Sequence, residues 1–271
     1  MTHPAFRFGP ALLFCPADRP DRFAKAAERA DAVILDLEDA VADDAKHSAR
    51  VALLTTTIDP ERVIVRVNPA SSPHLDDDLA MLAQTPYRTV MLAKCEGTAD
   101  LVGLADYEVI ALCETARGVL AAGEIADLPN VSALMWGAED LVASLGGSSS
   151  RFDDGRYRDV ARHARSQVRL ATAANGIAAI DAVHLDIGDV DGLRAEVDDA
   201  AALGFAATAC IHPSQVAIVR EGYRPEPERL EWARAVLDAA AASEAGVFAF
   251  RGVMVDAPVL RQAEAIIRRA G

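Results

Sequence analysis

Short apolar runs alternate with amphipathic segments along nearly the whole chain, and charged or polar residues close most of the runs. Apolar runs of about four to eight residues are typical of strands buried on both faces of a parallel sheet. The runs that predict strands cover residues 11–15, 32–39, 62–69, 89–94, 108–114, 132–141, 178–184 and 207–213, and the sixth of them breaks at Gly137. Helices are predicted between them, notably over residues 157–175 and 189–203, which Gly176 and Gly204 would end.

Eight strand–helix units predict an α/β fold, a (β/α)8 TIM barrel, as one domain over residues 1–271. A doubly wound open sheet is the alternative, but no GxGxxG follows the first strand and no GxxxxGK[ST] occurs. Residues from about 226 to 271 exceed what a closed barrel needs and predict two further helices. This C-terminal helical extension could pack on its own barrel, but we expect it to pack on a neighbouring subunit.

Composition excludes several classes of function. The chain has 271 residues, 51% of them hydrophobic, and a formal net charge of -14. No basic stripe is evident, which argues against a nucleic-acid partner, and no apolar segment approaches the length of a membrane span. The four cysteines (Cys15, Cys95, Cys113 and Cys210) lack metal-binding spacing and are typical of buried thiols in a reducing compartment. We therefore expect a cytoplasmic protein with no membrane partner.

Carboxylates follow three of the predicted strands. Asp36, Glu38 and Asp39 fall within four positions, and carboxylates this close need water, a cation or a positive side chain to compensate them. Glu114 and Asp140 end successive strands and could point into one cavity mouth. A surface turn at the first group and a helix cap at Asp140 are the plain structural alternatives. Two carboxylates with waters and no convergent Cys or His suit Mg²⁺.

Positive side chains occur where an anion could bind. Arg66 lies inside an apolar run, where an unpaired guanidinium would be costly, so it needs either a protein carboxylate or a carboxylate ligand. Arg19, Arg22 and Lys25 follow the first strand and form either a solvated helix face or a phosphate-contacting cluster. The polar loop over residues 146–151 is either a linker or an anion-contacting loop.

A metal ion and an arginine together can chelate an α-keto acid and stabilise the negative oxygen that develops when an adjacent C–C bond forms or breaks. No nucleophile elbow and no Ser-His-Asp order occurs in the sequence, which argues against hydrolysis through a covalent intermediate. The residues alone therefore permit metal-assisted carbon–carbon chemistry on a keto acid.

The ordered motifs ILDLEDAV with K..AR behind it, VRVN, ALCETARG, GAEDL and IHPSQ extend over nearly the whole chain. This set resembles the citrate lyase β-subunit-like proteins of the HpcH/HpaI aldolase family, and in particular the stand-alone actinobacterial members. The resemblance implies a Mg²⁺-dependent TIM barrel that makes or cleaves β-hydroxyacyl-CoA thioesters, with acyl-CoA and small keto acids as substrates and a homotrimer as the assembly.

The resemblance also implies a role for individual residues. Glu114 and Asp140 match the Mg²⁺ ligands, and Arg66 matches the arginine that holds the substrate carboxylate. Further matches are the acidic group near the metal and the segment that contacts the keto acid, namely Asp36, Glu38 and Asp39, and Gly137, Ala138 and Glu139.

Two more matches concern proton transfer and CoA. Asp256 fits an aspartate that a neighbouring subunit supplies for proton transfer at the acetyl carbon. Arg19, Arg22 and Lys25 resemble the region that holds CoA phosphates. The chain departs from many relatives at Ala93, where they have proline, and at residues 208–210, where they carry Gly-Lys; the second departure bears on the thioester partner.

Three functions follow as hypotheses. The first is a lyase that cleaves or forms the C–C bond between acetyl-CoA and a keto acid such as pyruvate or glyoxylate, of the citramalyl-CoA or malyl-CoA type. The second is a class II aldolase acting without CoA, with His47, His184 or His212 as base. The third is a citrate-lyase-β-like subunit that needs an acyl-carrier partner. Asp256 favours the first, because a carrier-dependent subunit need not supply its own base.

Overall fold

Parallel strands close into a barrel in which each strand is hydrogen-bonded to the next in sequence and the last pairs with the first. The computed structural model describes residues 3–243 and 246–270; residues 1, 2, 244, 245 and 271, which belong to the predicted domain ranges, lie outside the described residues. The barrel strands in the described chain are β1 (Ala11–Pro16), β2 (Ala32–Asp36), β3 (Val63–Val67), β4 (Thr89–Leu92), β5 (Glu108–Cys113), β6 (Val131–Trp136), β7 (Ala178–Asp181) and β8 (Ala207–Cys210). The predicted TIM barrel is confirmed.

Helices connect the strands, as the amphipathic segments predict. They are α1 (Pro20–Arg29), α2 (Lys46–Thr55), α3 (Leu75–Leu82), α4 (Ala116–Ala126), α5 (Ala138–Ser144), α6 (Asp159–Asn175), α7 (Val190–Leu203) and α8 (Gln215–Tyr223), with 3₁₀ helices at Asp43–Ala45, Pro60–Arg62 and Thr98–Leu104. Gly176 and Gly204 end α6 and α7 with φ of 69° and 82°, a left-handed conformation that glycine adopts without strain. The β4–β5 connection forms only the 3₁₀ helix, and Gly97 and Gly103 there disfavour a regular α-helix.

The barrel interior is an apolar core built from every strand. Leu12, Ile34, Ile64 and Leu112 belong to it, together with residues of the other four strands. Successive side chains along a strand point to opposite faces. Two positions beyond Ile34, Ile64 and Leu112 come Asp36, Arg66 and Glu114, so the inward side of these strands changes from apolar to charged at the carboxyl end. This change of polarity forms the candidate site.

After Val219 the chain forms a second compact unit. It contains α9 (Pro227–Ala241), the antiparallel pair β9 (Phe248–Phe250) and β10 (Val253–Val255), and α10 (Ala257–Ala270). Arg251 and Gly252 join the two strands with φ of 48° and 81°, and positive φ at both central residues is the geometry of a type I′ turn. Its small core contains Ala233, Val236 and Val255. The two helices were predicted; the hairpin was not.

Two predictions from composition can be compared with the described residues. All four cysteines are buried thiols. Among the helices described, none combines the length and the apolar character needed to cross a bilayer.

Candidate active site

Asp36 and Arg66 form a buried ion pair at the carboxyl end of the barrel. The β2–β3 register sets the two residues side by side on neighbouring strands. Arg66 donates from Nε to Asp36 Oδ1 at 2.6 Å and from Nη2 to Asp36 Oδ2 at 2.6 Å, so the pairing is bidentate. The guanidinium also lies 4.8 Å from the ring centroid of Phe14. The structure therefore provides Arg66 with the protein carboxylate that was one of its two predicted partners.

Glu38 connects this pair to a second cation, Lys94. Arg66 Nη1 lies 3.2 Å from Glu38 Oε2, and the Lys94 ammonium donates to Glu38 Oε1 on the other side. Lys94 also donates to Asp39 Oδ2 at 2.9 Å. Burial raises the pKa of Glu38, while the charges of Arg66 and Lys94 oppose that rise. Glu38 is thus a buried carboxylate between two cations, and Asp39 is the more exposed member of the acidic group.

Glu114 and Asp140 are the carboxylates of the site that no arginine neutralises directly among the ion pairs described. Glu114 is 3% exposed, and its Oε1 accepts a 3.2 Å hydrogen bond from the Lys94 backbone amide. Burial first, and the negative charge of Asp140 second, raise the pKa of Glu114 to about 8. Asp140 lies in the first turn of α5, with its Oδ1 3.4 Å from Lys94 Nζ. The negative charge of each carboxylate repels the other. Among the ion pairs described, Arg66 pairs bidentately with Asp36, and no arginine pairs in this way with Glu114 or Asp140.

This arrangement fits a hard divalent cation. Two carboxylates are the usual protein contribution to a Mg²⁺ site, because Mg²⁺ keeps several waters and takes its other oxygens from substrate. Within the described ranges there is no group of three or more His, Cys, Asp or Glu side chains arranged to hold a metal. Burial and the charge of Asp140 both disfavour ionised Glu114, and a cation bound between the two carboxylates would offset both effects. An oxygen-only pair with excess negative charge matches Mg²⁺ and not zinc.

The K..AR motif contributes two side chains, Lys46 and Arg50, that make buried contacts near the loop after β2. The Lys46 ammonium donates to the backbone oxygens of Leu37 at 2.8 Å and Glu38 at 2.9 Å. Arg50 donates from Nε to the fully buried Asp78 at 2.7 Å. Lys46 therefore fixes the backbone that presents the acidic group, whereas Arg50 pairs with Asp78, which in turn accepts a hydrogen bond from the Asn68 side chain after β3.

The segment predicted to contact the keto acid begins α5. Gly137 is the residue before the helix, Ala138 is buried, and Glu139 accepts a 2.6 Å hydrogen bond from the Ser150 hydroxyl. A Cβ at Gly137 would lie 2.7 Å from Glu114 Oε2. The glycine therefore lets this segment approach the Glu114 carboxylate directly, while contact with a keto acid stays a prediction.

Replacing Gly137 by Ala should displace Glu114, because the added methyl group would also lie 3.0 Å from Glu114 Cβ. We expect a loss of about 1–3 kcal/mol in the free energy of unfolding, as for other overpacked positions, and weaker Mg²⁺ binding. Denaturant unfolding and calorimetric Mg²⁺ titration measure the two effects.

Gly123→Ala is the matched control for that variant. Its added Cβ would meet nothing within 4 Å inside α4, so helix propensity should stabilise the protein by about 0.5–1 kcal/mol. A Gly137→Ala protein as stable and as competent for Mg²⁺ as Gly123→Ala would contradict the close packing between Gly137 and Glu114.

The residues predicted for CoA lie just after β1. Arg19 immediately precedes α1, and Arg22 and Lys25 lie on that helix. All three are exposed, and Arg19 Nε is 3.3 Å from Asp21 Oδ1. Because β1 ends at the carboxyl face of the barrel, these cations border the same face as the carboxylates. Their role toward CoA stays a prediction.

Asp256 has a clear local role in the second unit. Its Oδ1 accepts a 3.3 Å hydrogen bond from the Val259 backbone amide, and its carbonyl oxygen accepts one of 3.1 Å from Leu260. These contacts are those of an N-cap, and Asp256 precedes α10. Its predicted role in proton transfer is not tested by this geometry.

The three histidines considered as bases differ in their surroundings. His47 is exposed on α2. His184 Nδ1 lies 2.9 Å from Glu196 Oε2, and His212 Nδ1 lies 2.7 Å from the Ser214 hydroxyl. The last two therefore have local partners of their own.

A second polar cluster, beside β7, was not assigned a function from the sequence. Asp181 accepts from Trp136 Nε1 at 2.6 Å and pairs with Arg165. Arg151 pairs with Glu196 and stacks over Tyr157, 3.7 Å from the ring centroid. Arg151, Tyr157, Arg165, Asp181 and Glu196 line a cavity of about 920 Å³. Arg151, part of the loop read either as a linker or as an anion-contacting loop, is thus held by a protein carboxylate.

Comparison with known proteins places the chain in a family. The family model described as HpcH/HpaI aldolase/citrate lyase matches residues 11–213, and one described as a C–C bond lyase of the TIM-barrel fold matches residues 157–271. The citrate lyase subunit beta-like protein of Mycobacterium tuberculosis is 60% identical over 263 residues, which are 97% of this chain and 96% of that protein. The mitochondrial citramalyl-CoA lyase of Homo sapiens is 31% identical over 287 residues, covering 94% of this chain and 83% of that protein.

A solved structure is similar over nearly its full length. The crystal structure of protein CitE from Mycobacterium tuberculosis, in complex with magnesium, acetoacetate and coenzyme A, has a TM-score of 0.92 and 59% identity. The similarity covers 97% of this chain and 98% of that one.

Fold and site together define a TIM-barrel protein with a carboxylate-lined centre at the carboxyl ends of its strands. The chain belongs to the HpcH/HpaI aldolase/citrate lyase family. The resemblance stated from its motifs is confirmed, and so is the prediction of a carbon–carbon lyase.

Proposed function

We propose that the protein is a Mg²⁺-dependent β-hydroxyacyl-CoA lyase. It would cleave or form the C–C bond between acetyl-CoA and a small α-keto acid such as pyruvate or glyoxylate. The observation that carries the proposal is the pair Glu114 and Asp140, which follow β5 and begin α5 and are both in contact with Lys94 at the carboxyl end of the barrel. Relatives support it, since one is a citramalyl-CoA lyase and another binds magnesium, acetoacetate and coenzyme A.

Glu114 and Asp140 would hold the cation. When bound, Mg²⁺ supplies Lewis-acid polarisation of a carbonyl oxygen and charge to orient an anionic substrate. Arg66 donates hydrogen bonds from Nε and Nη2 to Asp36. Only its remaining N–H donors, on the side that faces Glu38, could therefore reach a substrate carboxylate. Asp36 would then act by fixing the orientation of Arg66, and Glu38 by balancing Arg66 and Lys94.

The thioester would bind at the same face. Arg19, Arg22 and Lys25 are exposed cations after β1 that could hold the CoA phosphates against the negative charge of the whole protein. The backbone of Gly137, Ala138 and Glu139, adjoining Glu114, would contact the keto acid.

Asp256 would complete the reaction from a neighbouring subunit of a homotrimer, carried by the C-terminal extension. In cleavage, the hydroxyl group of the substrate would give its proton to a water molecule, the C–C bond would break to give the keto acid, and the electron pair of that bond would remain on the thioester as an enolate. Asp256 in its acid form protonates that carbon; in condensation its carboxylate removes a proton from the acetyl methyl group.

A cytoplasmic location belongs to the same proposal, supported by the four buried thiols.

Asp256→Asn is the sharpest test of this step, because asparagine caps a helix about as well as aspartate but cannot exchange the proton. We expect cleavage of malyl-CoA or citramalyl-CoA in the presence of Mg²⁺ to fall by about 10²- to 10⁴-fold, the range of general acid–base catalysis. Keto-acid release measures the rate, and thermal unfolding should be unchanged. Asp256→Ala should lose the same activity and about 1 kcal/mol of stability through the lost cap.

Other outcomes favour the alternative functions. Full activity in Asp256→Asn would remove the residue from the chemistry. No turnover of either thioester by the wild type, with Mg²⁺ and keto acid bound normally, would favour the class II aldolase or the carrier-dependent subunit. Activity on a free hydroxy-keto acid distinguishes the first of these from the second.

A further inference from the structure

Lys94 contacts both parts of the site, and neither its motif nor its place in the sequence gave it a role. It follows β4 in a left-handed conformation with φ of 47°, uncommon for a residue with a side chain. Its backbone amide donates to Glu114 Oε1 at 3.2 Å, while its ammonium reaches Glu38, Asp39 and Asp140. One residue therefore contacts both carboxylates of the proposed metal site and two of the acids after β2.

Its side chain is the more accessible cation of the site. The Lys94 side chain is 27% exposed, against 11% for Arg66. Arg66 is engaged bidentately by Asp36, whereas the distance from Lys94 Nζ to Asp140 Oδ1 is 3.4 Å, longer than an ion pair of ideal geometry. An anion arriving from solvent would therefore meet the field of Lys94 first.

The charges of the site do not balance without Lys94. Five carboxylates face two cations: Asp36, Glu38, Asp39, Glu114 and Asp140 against Arg66 and Lys94. With all five carboxylates ionised, as they would be when Mg²⁺ has displaced the proton of Glu114, the carboxylates exceed the two cations by three charges, and the divalent cation reduces that excess to one. With the divalent cation bound and Lys94 neutral, the excess would be two negative charges, and these charges would repel an anionic keto acid. A positive charge at this point repels Mg²⁺ and attracts the keto acid.

Burial lowers the pKa of Lys94, but its hydrogen bonds with Asp39 and Glu38 outweigh burial and hold that pKa above its ordinary value. A lysine ammonium is charged at neutral pH in its ordinary state, and the contacts with Glu38 and Asp39 pair that charge with carboxylates.

We propose that Lys94 is the charge-balancing residue of this site: it weakens binding of the divalent cation and strengthens binding of the anionic α-keto acid. The inference rests on the proposed function and assigns a residue that sets the affinity for the keto acid. This role can be distinguished from a purely structural one. Loss of a structural residue would weaken binding of both ligands, whereas loss of a charge-balancing residue should change the two affinities in opposite directions.

The test uses the full-length protein with Lys94→Met, Lys94→Gln and Lys94→Arg. Calorimetry measures Mg²⁺ binding without keto acid, and then pyruvate binding at saturating Mg²⁺. We expect both neutral variants to bind Mg²⁺ about tenfold more tightly and pyruvate about tenfold more weakly, from Coulomb interactions over a few ångströms in a hydrated site. Arg keeps the charge and should restore both affinities toward wild type.

Weaker binding of both ligands in the neutral variants, or no change in either, overturns the inference. Lys94→Gln retains a donor toward Glu38 and Asp39, so it keeps the test valid if Lys94→Met does not fold. Failure of the wild type itself to bind Mg²⁺ or pyruvate would overturn the proposed function and this inference with it. That result is seen before any variant is measured, so the two failures are distinguishable.

Discussion

Replacing Glu114 by Gln or Asp140 by Asn should weaken Mg²⁺ binding by more than about 100-fold and reduce lyase activity with it. Each substitution keeps the shape of the side chain and removes a charged oxygen ligand. Loss of an outer contact to a metal ligand already weakens binding by roughly 10- to 100-fold, and loss of the ligand itself should exceed that range. Calorimetry measures the affinity, and release of keto acid from a β-hydroxyacyl-CoA measures the activity.

The pH dependence of Mg²⁺ binding in the wild type belongs to the same prediction. Because the pKa of Glu114 is raised to about 8, its carboxyl group holds a proton in the metal-free protein at neutral pH, and Mg²⁺ must displace it. The apparent affinity should therefore rise about tenfold per pH unit below pH 8 and level off above it. Asp140→Asn removes the second cause of the raised pKa, so what binding remains should level off at lower pH.

Two results would contradict this assignment. A Glu114→Gln protein that binds Mg²⁺ like wild type would mean that the cation lies elsewhere. Affinity that is independent of pH between 6 and 8 would mean that Glu114 is not the group from which the cation displaces a proton. Glu139→Gln is the matched control, because Glu139 neighbours Asp140 on α5 but points to the Ser150 hydroxyl. It should leave Mg²⁺ affinity unchanged.

The barrel could be predicted from sequence because parallel strands carry a strong local signal. Their apolar runs are bounded by charged residues, and Gly176 and Gly204 mark the ends of α6 and α7. The hairpin after α9 carried a weaker signal. Its turn contains Arg251 at positive φ, where Asn-Gly or Asp-Gly is the usual sequence, so a hairpin was not predicted.

The candidate site could be predicted only in part. Because side chains alternate between the two faces of a strand, the residues two positions beyond Ile34, Ile64 and Leu112 also point into the barrel. This alternation is enough to bring charged residues to one end of the barrel. Strand register is not visible in one sequence, so the partner of Arg66 stayed open between a protein and a ligand carboxylate. Lys94 was visible only as a charge after a strand, because its left-handed backbone and its contact with Glu114 depend on tertiary packing.

Replacing Arg66 by Met should be the most destabilising single change at the site. It would leave Asp36, 1% exposed, and Glu38 without their main counter-charge, and breaking a buried ion pair in this way costs about 3–5 kcal/mol. Denaturant unfolding measures the loss. Arg156→Met is the matched control, because the Arg156–Asp154 pair is as short, at 2.7 Å, but lies in solvent, and its removal should have no measurable effect.

A double-mutant cycle then separates the two roles of Arg66. If the guanidinium mainly neutralises Asp36, adding Asp36→Asn to Arg66→Met should recover part of the lost stability, because the remaining carboxylate is no longer an unpaired buried charge. Pyruvate binding should not recover, since the donors left over for a substrate carboxylate are absent from both variants. Recovery of both would mean that Arg66 serves the fold alone and that the anion is bound by Lys94 and the cation. Recovery of neither would mean that the bidentate pair contributes little and that Glu38 is the partner on which Arg66 depends.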